Sequence, residues 1–186
     1  YRISAEEILP GMTTLEETIA YAKVIQKYID MLHVSRGLLE VDDLLPQINA
    51  PVYLPRAMNL PFAKQFKQAL DIPVSGVGSF DLTTAERAVA AGDVDVVAMI
   101  RNILADTDCV EKARKGEDAE IRPCVRCNTC IGRTHSEHKS VRCAVNPLVG
   151  RETRFDLRKT EHPKKVLVVG GGPAGLEAAR TAANRG

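Results

Sequence analysis

Residues 72–101 decide the fold. They open with Ile72-Pro73-Val74-Ser75-Gly76-Val77-Gly78-Ser79 and close with Val94-Asp95-Val96-Val97-Ala98-Met99-Ile100-Arg101. The apolar run Ile72 to Gly78 ends in glycines, as a strand does where its chain must turn. A helix pattern follows over about Thr83–Ala91 and is closed by Gly92, the residue type that best tolerates a helix C-terminus. Val94–Ile100 is apolar enough to be covered on both faces, as parallel strands are. Strand, helix and parallel strand in succession make one βαβ unit.

The alternation continues outward. Upstream, Arg2-Ile3-Ser4 reads as a strand, and Thr14–Tyr28 as a helix whose Thr14 and Glu17 fit a capping box. Ile29–Ser35 reads as a buried strand. A long loop broken by Pro46, Pro51 and Pro55 follows, then a helix over Pro61–Leu70 with Pro61 in its first turn. Downstream, about Asp108–Lys115 is helical. Four strand–helix units give an α/β chain, and their spacing suits either half of an eightfold barrel or a small open parallel sheet. Residues 119–160 lack periodicity and are expected to be irregular. Lys165–Val169 restarts the pattern as a strand, with glycines and a helix from about Pro173 behind it.

Composition narrows the function. With 45% hydrophobic and 26% charged residues, the chain has the make-up of a soluble globular protein. A net charge of +1 sets up no field that would gather nucleic acid or an anionic membrane. Four Tyr, four Phe and no Trp are too few for a base-stacking surface. No apolar run approaches the ~20 residues of a spanning helix, and no signal-peptide pattern opens the chain. Tyr1 stands where a Met would, and Arg180 to Gly186 fall inside or just after a helix that should lead into another strand. The chain therefore reads as a fragment of a longer protein.

Four of the five cysteines fall within residues 124–143. Such clustering points to a metal site in a reducing, cytoplasmic compartment rather than to disulfides. Cys124, Cys127 and Cys130 stand at intervals of three, and Cys143 follows at a distance. A tight loop of three thiolates closed by a fourth suits a 4Fe–4S cluster, or a structural zinc in a non-enzymatic module. Three-plus-one spacing is commoner for iron–sulfur. Arg122, Arg126, Arg133, Lys139, Arg142 and Arg151 surround the cysteines. Most are expected on a solvated loop surface. His135 and His138 could ligate, but four cysteines already complete the set. Cys109, alone, is expected to be a buried apolar side chain.

Two segments have the make-up of phosphate sites. Gly170-Gly171-Gly172-Pro173-Ala174-Gly175 satisfies G-x-G-x-x-G between an apolar strand and a helix, the context in which glycines admit a pyrophosphate to a helix N-terminus. FAD, NAD or ADP would fit it equally. In the second, Gly78 and Ser79 end one strand and Arg101 ends the next. In (βα)8 barrels the loops after the last two strands commonly bind phosphate, although a capping turn beside a surface arginine would read the same.

Taken together, these residues resemble the NADH:flavin oxidoreductase family with an Old Yellow Enzyme-type barrel and a 4Fe–4S loop, as in trimethylamine dehydrogenase, 2,4-dienoyl-CoA reductase and clostridial enoate reductases. The resemblance runs through Arg2-Ile3-Ser4, His33-Val34-Ser35, Pro73 to Gly78, Val97 to Arg101, Ile121 to Cys124, Cys143 to Pro147 and Gly170 to Glu177. It implies that residues 1–118 are the second half of an FMN-binding (βα)8 barrel. Residues 119–160 would be the iron–sulfur segment and linker, and residues 161–186 the start of a Rossmann-like domain for FAD or ADP. Arg2 would face the flavin N1–C2 edge, and Gly78, Ser79 and Arg101 would hold the FMN phosphate, with Ile100 where many relatives have Gly. Cys124, Cys127, Cys130 and Cys143 would hold the cluster, and Gly170, Gly171, Gly172, Ala174 and Gly175 the second nucleotide. The implied chemistry is electron relay from NAD(P)H through FAD and cluster to FMN and then to an unsaturated small molecule, in a homo-oligomeric parent. Amine oxidation would run the flow the other way. No catalytic residue is assigned: proton donation would lie before Tyr1, and His33 reads at least as well as a satisfied core histidine.

Overall fold

In the computed structural model residues 1–38, 40–155 and 157–186 are described, and they form two compact units, Tyr1–Val149 and Gly150–Gly186. The first is built on four parallel strands: β1 (Arg2–Ser4), β2 (Leu32–Ser35), β3 (Val74–Val77) and β4 (Val96–Ala98). They lie in the order β1-β2-β3-β4, with Arg2 opposite His33, His33 opposite Ser75, and Ser75 opposite Val96. Chain order and spatial order coincide. A doubly wound sheet would instead reverse its order at a switch point.

Helices α1 (Leu15–Ile25), α3 (Leu60–Ala69) and α4 (Leu82–Ala90) lie between the strands in sequence. A short helix α2 (Leu45–Ile48) interrupts the long loop, with Pro46 in its opening turn. Helices α5 (Ile100–Ala105), α6 (Cys109–Arg114) and α7 (Thr129–Ile131) follow β4, and α7 runs into a π-helical turn over Gly132–Ser136. Residues 119–160 are thus not wholly irregular.

Alternation along the strands sorts the two faces. Leu32, Val34 and Val74 are fully buried in a core with Ala22, Ala63, Phe66 and Ala88 of the helices. Arg2, His33, Ser35, Val77 and Ala98 line a cavity on the other side. Burying those apolar side chains stabilises the unit by roughly 1.5–3 kcal/mol for each large one. Gly76 lets the core close, since a Cβ there would sit 3.3 Å from Val94 Cγ1 and 3.6 Å from Ala63 Cβ.

Helix starts follow their caps. Thr14 and Glu17 form the expected box, with Glu17 N–H donating to Thr14 Oγ1 (3.3 Å) and Thr14 N–H to Glu17 Oε2 (2.9 Å). Asp81 and Thr84 form a second, so α4 begins at Leu82 rather than Thr83. The run Val94–Ile100 does not stay in the sheet throughout. Val94 sits in the core, only Val96–Ala98 pair, and the chain turns into α5 at Ile100. Val96 is 43% exposed, so among the described residues this strand is not covered on both faces. Likewise Ile29 to Met31 lie outside β2.

In the second unit helix α8 (Pro173–Arg185) starts where the sequence places it. Residues 165–169 join no ladder among the described residues, and Val166, Leu167 and Val169 are exposed. An apolar run becomes a strand only when another strand takes up its N–H and C=O groups. No helix among the described residues is long and apolar enough to cross a membrane.

Candidate functional site: two adjoining cavities

Strand β3 leads into Gly78-Ser79 and β4 into Met99 and the first turn of α5 with Ile100 and Arg101, so these segments reach the same rim of the sheet. There they wall a cavity of about 300 Å³ together with Arg2 and His33 from β1 and β2. Arg2 Nε donates to Ser35 Oγ (3.1 Å), which in turn donates to Ile3 O (3.3 Å). His33 Nδ1 lies 3.1 Å from Ser75 Oγ. Burial holds the His33 imidazole below its ordinary pKa, and the positive charge of Arg2 pushes the same way.

Gly78 has φ +127° and Ser79 φ +61°, so the turn after β3 uses the left-handed region twice. A Cβ on Gly78 would stand 2.5 Å from Asn59 Nδ2. Asn59 is 2% exposed, lines the cavity, and its Oδ1 has no hydrogen-bond partner. A buried acceptor left unpaired costs about 1–3 kcal/mol. The wall of this cavity therefore presents a polar group ready for a donor.

The segment after α6 is held by side chains rather than by a ladder. Asp106, buried at the end of α5, accepts from Lys112 Nζ (2.7 Å), Arg122 N–H (2.9 Å) and Asp108 N–H (3.1 Å). Burial alone would raise its pKa, but these donors outweigh it and hold the carboxyl below its ordinary value. At the far end, buried Asn146 donates to Leu104 O (3.0 Å) and accepts from Leu148 N–H (3.1 Å). Between them Asn128, at φ +57°, donates to Asn49 O (2.6 Å) and accepts from Arg101 Nη1.

So pinned, the segment brings Cys124, Cys127, Cys130 and Cys143 to the wall of one narrow cavity, with Arg101, Leu104 and Asn128. None of the four is in a disulfide. Arg126 N–H donates to Cys124 Sγ (3.4 Å), and Cys127 Sγ lies 3.3 Å from Thr129 Oγ1. For Cys127 burial works to raise the pKa, but the hydrogen bonds from Thr129, and one involving Ala144, hold it below the ordinary thiol value. Burial pushes the Cys130 thiol up. Among the described residues no three His, Cys, Asp or Glu side chains are drawn together as a finished ligand set. The sulfurs share a cavity without meeting at a point.

The two cavities adjoin. Arg101 and Cys124 line both. Arg101 also donates to Ala50 O (2.8 Å); burial lowers its pKa, and the neighbouring Cys124, Cys130 and Cys127 oppose that. Arg126 departs from the expectation of a solvated loop. It is 9% exposed and lines the strand-end cavity, with its backbone in the left-handed region at φ +53°. Its partners, the Val52 and Leu54 carbonyls and the Ser79 hydroxyl, are distant in sequence, so sequence could not single it out, and nothing local marks Asn59.

In the second unit Gly170 has φ +107°, and a Cβ on Gly175 would collide with Gly170 O. The third glycine of the motif thus allows the first turn of α8 to press on the turn before it. Gly172 caps the helix without a side-chain hydrogen bond, Pro173 lies in the first turn, and Gly171 and Gly172 face open space. Ala174 stands in the same turn.

The strands and most of the strand-end wall, including Arg2, Gly78, Ser79 and Arg101, fall within residues 1–120, which match the NADH:flavin oxidoreductase / NADH oxidase family. The chain belongs to that family. The NADH oxidase of Thermoanaerobacter brockii is 39% identical over all of this chain and 29% of its own length. The cinnamate reductase of Clostridium sporogenes is 40% identical over 73% of this chain and 21% of its own. The solved structure of 2-naphthoyl-CoA reductase with 2-naphthoyl-CoA superposes on the whole chain at a TM-score of 0.89, with 31% identity, over 28% of that protein. This NADH:flavin oxidoreductase chain thus spans under a third of the relatives it matches. Its strand-end cavity fits a phosphorylated flavin on three observations: the unpaired Asn59 Oδ1, the room that a Cβ on Gly78 would fill, and the guanidinium groups of Arg101 and Arg126. The cysteine cavity fits a cluster by its donors, four free thiols beside the half-buried Arg101.

Proposed function

We propose that this chain contributes part of the FMN cavity, the cluster ligands and the opening of a dinucleotide-binding fold to an iron–sulfur flavoprotein oxidoreductase. Residues 1–118 would be strands five to eight of a (βα)8 barrel, residues 119–160 would hold a 4Fe–4S cluster, and residues 161–186 would begin a Rossmann-like domain for FAD or ADP. The reaction is reduction of an activated C=C bond at the expense of NAD(P)H, of the enoate or 2,4-dienoyl-CoA type. What supports this best is the shared wall of Arg101 and Cys124: cofactors that exchange single electrons need adjoining sites. Similar proteins whose names carry cinnamate and 2-naphthoyl-CoA favour an unsaturated acyl substrate.

Bound FMN would supply the hydride chemistry. Arg2 would place a positive charge beside the flavin and so favour its reduced, anionic form. Gly78, Ser79 and Arg101 hold the phosphate, and the lone Asn59 acceptor takes up a donor. Cys124, Cys127, Cys130 and Cys143 ligate the cluster, with Arg126 N–H donating to Cys124 Sγ. Gly170, Gly171, Gly172, Ala174 and Gly175 admit the pyrophosphate of the second nucleotide to the start of α8. A second reading, oxidation of a methylated amine, draws on the intervals of Cys124, Cys127 and Cys130, which resemble those of trimethylamine dehydrogenase.

The test is anaerobic purification of the whole protein, with metal and flavin analysis and NADH oxidation assayed with cinnamate. About four iron per chain, bound FMN and cinnamate-dependent turnover are expected. One zinc without iron would overturn the relay. Reduction of the flavin by trimethylamine, with no reaction of cinnamate, would replace the first reading by the second.

A further inference from the structure

Arg126 belongs to the cysteine segment, two residues from Cys124, yet its side chain is committed to the other cavity. Its Nη1 donates to Leu54 O (2.8 Å) and Ser79 Oγ (3.2 Å), and its Nη2 to Val52 O (2.9 Å). A guanidinium has five N–H donors, so three bonds leave two free. Ser79 follows Gly78 in the turn after β3, and Arg56 and Arg101 line the same cavity.

The charges there do not balance. Among the described residues no carboxylate pairs with Arg101 or Arg126, and Asp81, whose charge reaches Arg126, is held by Arg56 at 3.0 Å. A buried cation without a counter-ion is unfavourable unless something anionic completes the site. Two free N–H groups, a cavity wall and a neighbouring hydroxyl suit a phosphate dianion, which arginine meets with paired hydrogen bonds.

We propose that Arg126 is a phosphate ligand of the flavin, contributed by the segment that carries the cluster cysteines; this rests on the flavin reading above. The same residue then touches both centres, with its backbone N–H on Cys124 Sγ and its side chain on the flavin phosphate. The alternative role, a strap that only holds residues 52–54, would affect any flavin equally.

Riboflavin, which lacks the phosphate, separates the two. The whole protein, stripped of flavin, is titrated with FMN and with riboflavin by quenching of flavin fluorescence, as wild type, Arg126→Met and Arg126→Lys. Wild type should prefer FMN. Arg126→Met should lose FMN affinity by about ten- to a hundredfold, as expected for hydrogen bonds to a charged group. It should keep riboflavin affinity within about twofold, and Arg126→Lys should fall between. An unchanged FMN affinity in Arg126→Met, or equal losses for both flavins, would overturn the proposal. A wild type that binds neither flavin would sink the flavin reading itself, and this ligand with it.

Discussion

Single residues here are constrained by what stands next to them. Gly78 combines φ +127° with an Asn59 amide 2.5 Å from where a Cβ would be. Gly78→Ala should therefore cost about 1–3 kcal/mol of stability from overpacking and backbone strain, read as a lower urea midpoint, with weakened FMN binding. Gly11, with nothing near its missing Cβ, faces only the strain of its φ of +79°. His33 gives a pH signature. Its pKa is lowered on folding, so the unfolded chain binds the extra proton first. Stability from this group is whole above the ordinary value of 6.5 and is lost as pH falls below it. His33→Gln should flatten urea stability between about pH 6.5 and 5. A wild-type profile already flat there would show that the imidazole titrates alike in both states.

Elements depend on anchors that lie outside them. The cysteine segment has no ladder, so its shape rests on Asp106 at one end, Asn146 at the other, and Asn128 and Arg126 between. Asp106→Ala removes an acceptor for two backbone N–H groups and for Lys112. A loss of about 2–3 kcal/mol is expected, together with less iron per chain, measured by denaturation and metal analysis. Were iron content unaffected, Asp106 would serve α6 alone. In the second unit Gly175→Ala should push α8 away from Gly170 and lower the FAD or ADP retained per chain, read by nucleotide analysis of the purified protein.

At the scale of the whole molecule the adjoining cavities make the two cofactor sites interdependent. Replacing Cys124 by Ser should lower FMN content as well as iron, because Cys124 lines both walls. Replacing Cys143, which lines only the cysteine cavity, should lower iron with a smaller effect on flavin. Equal flavin contents in the two variants would mean that the sites are independent.

Sequence alone determined the alternating strand–helix pattern, the thiol spacing and the glycine turn before α8, because periodicity, cysteine intervals and helix caps are local properties of a chain. It did not show that β4 stops at Ala98 or that α5 begins at Ile100, since an apolar run does not say which of its residues find a partner. Residues 165–169 make the same point: they read as a strand and join no ladder among those described. The family resemblance implied that Arg2 and Arg101 face one flavin, and the tertiary structure puts both on one cavity; only the tertiary structure turned Arg126 from its expected place in solvent into that cavity. Sequence separations such as the 72 residues between Arg126 and Leu54 carry no local signature. Which distant groups meet, and which buried charge is left without a partner, is settled by packing.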